Sequence, residues 1–125
     1  MPMFAESLAA CAATLLCASG PAVSPSPDSV LHLTMTPPNG ATRAAVLVCD
    51  PAAGTHPKPY EACSAIERAD GELADLPRRN QACPMIYSPV VAEAHGWWRG
   101  ERVDFRASYS NACVADAESS GLFGF

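Results

Sequence analysis

Cysteine spacing constrains this chain more than any other feature. Six cysteines occur in 125 residues, and two of them, Cys11 and Cys17, lie in the uncharged apolar run "LAACAATLLCA" at residues 8–18. That run, with the small residues of "SGPAVS" behind it, reads as an export signal over residues 1–22, although "MPMFAES" carries no Lys or Arg ahead of it. The run is too short to span a bilayer. "LAAC" (Leu8 to Cys11) has the form of a lipoprotein cleavage box, but only seven residues precede it, too few for the apolar stretch that such a signal needs. Residues 23–29 then form a flexible N-terminus of a secreted chain, and residues 30–125 a single domain. That domain keeps Cys49, Cys63, Cys83 and Cys113. An even number of cysteines in a small exported domain points to two disulfides, and four cysteines allow three pairings. A zinc site would use the same residues, but there is no C-x-x-C pair, and His32, His56 and His95 are far apart in sequence. No metal or other cofactor is expected.

Charge narrows the partners. Charged residues make up 17% of the chain, the net charge is −5, and the eight Lys and Arg are scattered. A nucleic-acid surface needs a basic cluster, so neither nucleic acid nor membrane is an expected partner.

Periodicity gives the class. "VLHLTMT" (30–36) alternates Leu31, Leu33 and Met35 with His32, Thr34 and Thr36, as a half-buried strand does. "ATRAAVLVCD" (41–50) follows the turn-forming "PPNG" as a second strand. "PVVAEA" (89–94) and "RVDFRASY" (102–109) flank "HGWWRGE", a hairpin with a longer loop. In the last strand Val103, Phe105, Ala107 and Tyr109 share one face, which implies an antiparallel sheet covered on one side. Between the strand pairs, Pro59 opens a helical pattern that continues through Ala62, Ile66, Ala69 and Leu73, with Gly71 ending or bending it. The fold class is α+β.

No catalytic constellation is present. The chain lacks G-x-S-x-G, H-E-x-x-H and a glycine-rich phosphate loop. The histidines read as surface or turn-capping residues and the carboxylates as solvating groups. Trp97 and Trp98 could make a ligand platform, but hairpin tryptophans more often cover a sheet edge. The chain is not expected to be an enzyme.

One stretch stands apart, "QACPMIYSPV" at residues 81–90. Loops usually carry glycine and polar residues, yet here Met85, Ile86 and Tyr87 lie between two prolines. Pro84 fixes its own φ and holds Cys83 extended, and Pro89 does the same to Ser88. A rigid, extended, exposed segment is the shape that a protease cleft accepts. A buried strand would have the same residues, and the residues alone leave both readings open.

A family resemblance favours the first. "CDPAAGTHPKPYEAC" (49–63), "CPMIYSPV" (83–90), "WRGERVDF" (98–105), "YSNAC" (109–113) and the ending "GLFGF" (121–125) together resemble the Streptomyces subtilisin inhibitor family. The resemblance implies a five-stranded antiparallel sheet with two helices, the pairings Cys49–Cys63 and Cys83–Cys113, and a homodimer. It also implies a secreted inhibitor of subtilisin-like serine proteases whose reactive bond joins Met85 to Ile86. Ala82, Cys83, Pro84 and Tyr87 would then contact the protease, and Asn111 would support the loop. Ala82 departs from the family pattern, which often has a larger residue there, as do Trp97 and Arg99. A secreted, disulfide-stapled binding module is the alternative from another functional class.

Overall fold

The structure, a computed structural model, describes residues 27–125. The export signal with Cys11 and Cys17, and residues 23–26 of the expected tail, lie outside the described residues. Five strands form one antiparallel sheet in the order β3-β2-β1-β4-β5. Strands β1 (Ser29–Thr36) and β2 (Arg43–Cys49) form a hairpin with Leu31 opposite Leu47 and Leu33 opposite Ala45. The two-residue β3 (Ala53–Gly54) extends the sheet beyond β2. On the other edge of β1, β4 (Val90–Trp98) sets Ala94 opposite Leu33 and Ala92 opposite Met35. Strand β5 (Glu101–Tyr109) pairs with β4 and brings Phe105 opposite Ala94.

Strand alternation sends Leu31, Leu33, Met35, Leu47, Ala92 and Ala94 to the same face, where all are buried. Helices α1 (Pro59–Arg68) and α2 (Ala112–Glu118) contact β2 and β5 respectively. Helix α1 buries Ala62, Ala65 and Ile66, and Cys63 bridges it to Cys49 at the end of β2, with 5.7 Å between the Cα atoms. The small side chains of β4 leave room above the sheet for the C-terminal segment. Phe123 fills it, fully buried and stacked on Phe105 with ring centroids 6.0 Å apart. Burying a side chain of that size stabilises the fold by roughly 1.5–3 kcal/mol.

The structure departs from the sequence expectations at four places. Helix α1 stops at Arg68, because Asp70 and Gly71 take left-handed conformations (φ 52° and 82°) and the Gly71 amide donates to Ile66 O at 2.9 Å. Leu73 therefore lies beyond the helix, buried in a 3-10 turn over Leu73–Asp75. A Cβ at Gly71 would come within 2.5 Å of Trp98, so the same glycine also makes room for a core side chain. The hairpin has no long loop: β4 and β5 are joined by Arg99 and Gly100 alone, with φ of 48° and 82°. Two left-handed residues give the twist that a two-residue hairpin needs. The tryptophans are adjacent on a strand and so point to opposite faces. Trp98 enters the core, while Trp97 lies half-exposed on the outer face beside Arg102. Finally, β1 begins at Ser29, one residue inside the segment read as a flexible N-terminus, and Ser29 Oγ accepts the Arg99 amide at 2.9 Å. His56 is a turn-capping residue, as expected, but a buried one. Its Nδ1 accepts the Lys58 amide, which leaves Nε2–H to donate to Leu122 O at 2.9 Å.

Candidate functional site

Residues 76–89 pass from the 3-10 turn to β4 without helix or strand. At the crest of this segment the exposure is extreme. Met85 is 104% exposed, Tyr87 83% and Ile86 59%. The buried-strand reading of these residues is thereby excluded. Three large apolar side chains in succession facing water oppose the ordinary distribution, and such exposure persists only where the chain beneath is held.

What holds it is the N-terminal end of α2. Cys83 is bridged to Cys113 in the first turn of that helix, with 5.6 Å between Cα atoms, inside the ordinary range for a disulfide. Asn111 is the N-cap of α2, and its Oδ1 accepts the Val114 amide at 2.9 Å. The other end of the same amide faces the loop. Its Nδ2 donates to Pro84 O at 3.1 Å and to Ile86 O at 2.8 Å. Asn111 is 7% exposed, so these bonds form largely away from water, where leaving them unmade would cost about 1–3 kcal/mol each. One buried side chain thus grips the carbonyls on both sides of Met85.

Further contacts fasten the flanks. The Ser88 amide donates to Ser110 O at 2.8 Å, and the Arg79 amide to Ala117 O at 2.8 Å. Gln81 Nε2 lies 3.4 Å from Cys113 Sγ and 3.5 Å from Asp116 Oδ2. Arg79 approaches Asp116 at 3.6 Å, and Arg78 meets Glu118 at 2.9 Å. The supporting roles of Ser110, Gln81, Arg79 and Asp116 carry no signal in the sequence, and Ser88 is marked there only by the proline after it. The residues that were, namely Ala82, Cys83, Pro84, Met85, Ile86 and Tyr87, run consecutively along the held segment, with Asn111 beneath. The segment from Ala82 to Tyr87 carries no charged side chain. The perturbed titrating groups lie elsewhere: Asp104 in the β4–β5 hairpin is held below the usual carboxylate range by the Arg102 and His95 hydrogen bonds, and burial pushes the Tyr109 hydroxyl up.

Residues 27–111 match the family model described as subtilisin inhibitor-like. The chain belongs to the subtilisin inhibitor-like family. Among its relatives is subtilisin inhibitor-like protein 1 of Streptomyces cacaoi, 36% identical over 89 residues that cover 68% of this chain and 81% of that one. A trypsin inhibitor of Streptomyces longisporus is 35% identical over 99 residues, covering 78% and 69% respectively. In three dimensions the fold is similar to sermetstatin of Streptomyces caespitosus, solved as a crystal structure in complex with subtilisin of Bacillus licheniformis. The TM-score is 0.60 and the identity 35%, over 78% of this chain and 96% of sermetstatin. The family is one of inhibitors and not of enzymes, and the chain is not an enzyme.

Proposed function

We propose that the chain is a secreted inhibitor of subtilisin-type serine proteases that presents residues 82–87 as a substrate, with Met85–Ile86 as the reactive bond. The observation that carries this reading is the grip of Asn111 on Pro84 O and Ile86 O, on either side of a fully exposed Met85. Met85 enters the primary specificity pocket, where an unbranched, flexible apolar side chain is adaptable. Ala82, Cys83 and Pro84 lie along the cleft as an added strand, and Ile86 and Tyr87 occupy the leaving side. Docking orders little, because the loop is already in its bound shape.

The same construction explains slow hydrolysis. Attack of the protease serine on the Met85 carbonyl breaks the Met85–Ile86 bond and frees the Ile86 amine. That amine stays beside the acyl group, because Asn111 holds Ile86 O, Ser110 holds Ser88, and Cys83 and Cys113 keep both ends in one molecule. Tethered groups reach effective molarities of about 10⁵–10⁸ M, so the bond re-forms faster than water cleaves the acyl-enzyme. The Cys83–Cys113 bridge spans 30 residues of sequence, and in the chain-entropy model such a loop stabilises the fold by about 4 kcal/mol.

Two further parts of the proposal rest on the family likeness. The protein acts outside the cell, after loss of residues 1–22, and it acts as a homodimer. The sheet face away from the helices offers a surface for a second copy, with Val30, Val46, Val48 and Val91 partly exposed on it; sedimentation at micromolar concentration gives the mass. For inhibition itself, the test is a titration of purified protein against a fixed amount of subtilisin. Residual activity should fall linearly to an equimolar end point. Unchanged activity at a several-fold excess favours a binding module instead.

A further inference from the structure

Four methionines occur in the chain, and the two among the described residues, Met35 and Met85, have opposite surroundings. Met35 is 4% exposed, part of the core cluster on the covered face of β1. Met85 is 104% exposed, so nothing among the described residues shields its thioether. A side chain placed to enter an apolar pocket is thereby also the one most open to oxidants in the surroundings. Position 82, the other place where the family presents a large residue to the protease, is alanine here. Met85 is therefore the single methionine on the protease-facing ridge, and the sulfur of Cys83 beside it is already tied up in a disulfide.

We infer that Met85 is an oxidation site that switches inhibition off reversibly. The inference rests on the reading of Met85 as the residue that enters the specificity pocket. The chemistry is transfer of one oxygen from a peroxide to Sδ. The sulfur lone pair attacks the distal peroxide oxygen, the O–O bond breaks and an S–O bond forms; the sulfur is oxidised by two electrons, the peroxide is reduced, and water leaves. The sulfoxide is polar and chiral. In an apolar pocket its oxygen loses water without gaining a partner. On the scale of buried unpaired polar groups, that weakens binding roughly ten- to a hundredfold. Reduction by the sulfoxide reductases, one for each epimer, restores the thioether at the expense of a dithiol, which is oxidised to a disulfide while the oxygen leaves as water. Met35 stays unmodified while the fold is intact, because the core excludes the oxidant.

The experiment treats the folded protein with hydrogen peroxide, locates the added oxygen by peptide mapping and measures the inhibition constant against subtilisin before and after. The expected result is one oxygen on Met85 ahead of Met35, inhibition weaker by roughly ten- to a hundredfold, and recovery with the two reductases together. A Met85→Leu variant, compared with its own untreated value, should not respond to peroxide. Unchanged inhibition by protein carrying the oxygen on Met85 overturns the switch and leaves the inhibitor reading standing. Oxidation of Met35 ahead of Met85, or an equal response from the leucine variant, also overturns it. Absence of inhibition by untreated protein overturns both readings together.

Discussion

Asn111 does two jobs with two ends of one amide, and a substitution can separate them. Aspartate is as good an N-cap as asparagine and suits the positive end of a helix, but it cannot donate to Pro84 O or Ile86 O. Asn111→Asp should keep the helix cap but melt below wild type, because Pro84 O and Ile86 O lose bonds of roughly 0.5–1.5 kcal/mol each, and its loop should be cleaved by subtilisin about tenfold faster or more. Asn111→Ala should lose about 1 kcal/mol of stability as well, through the cap. Thermal unfolding and the rate of cleavage by subtilisin read the two effects apart, and normal loop lifetime in the aspartate variant contradicts the role given to the amide. Met85 sets selectivity in the same local way. Met85→Lys should create inhibition of trypsin, whose pocket holds a carboxylate, by at least about tenfold over wild type. If trypsin responds equally to both proteins, Met85 is not the residue that enters the pocket. Neither role is legible in the residues alone. Met85, Ile86 and Tyr87 would suit a buried strand equally well, and what decides is that nothing among the described residues covers them, a property of the fold and not of the segment. The asparagine is recognisable as a cap only once the helix after it is known.

Among the elements, long periodic segments were readable and short ones were not. Leu31, Leu33 and Met35, or Val103 to Tyr109, alternate over a full strand, and the structure places them as that alternation requires. Helix α2 spans seven residues and β3 two, too few for any period to show, and the second helix was implied only by the family likeness. The β4–β5 turn was misjudged because Arg99 takes a left-handed conformation that glycine, asparagine or aspartate usually fills. Arg99 is held there by its position over Trp98 at 5.0 Å and by Asp50 and Glu67, each at 3.6 Å. The same hairpin carries a pH dependence. Arg102 and His95 both bond the Asp104 carboxyl, at 2.8 and 3.0 Å, and lower its pKa. A carboxyl depressed in the folded state adds stability above its unfolded value, about 3.9, and loses it as pH falls through the folded value. The gain is small because the pair is exposed. Asp104→Asn should therefore melt slightly below wild type at neutral pH, with the gap closing under acid conditions. A gap that persists unchanged at the lowest pH would contradict the assignment.

At the scale of the molecule, the two disulfides enclose residues 49–63 and 83–113, and neither links one half of the domain to the other. The halves are joined by the pairing of β1 with β4 and by the core between sheet and helices. The second bridge is therefore dispensable for the sheet but encloses the reactive bond. Replacing Cys83 and Cys113 together by serine should leave a folded domain that is less stable by up to about 4 kcal/mol. Its inhibition should be temporary, with protease activity recovering over time as the loop is cut and the Ile86 amine escapes. Lasting inhibition by the folded variant would mean that the hydrogen bonds alone trap the protease. The most direct test of the central claim is to incubate the wild-type protein with a small amount of subtilisin for a long period and map every cut by mass spectrometry before and after reduction. A substrate-like inhibitor gives a single cut at Met85–Ile86, an unchanged mass (apart from one added water) until the Cys83–Cys113 bridge is reduced, and retained inhibitory activity. Cuts elsewhere with Met85–Ile86 intact, or rapid degradation of the whole domain, would contradict it.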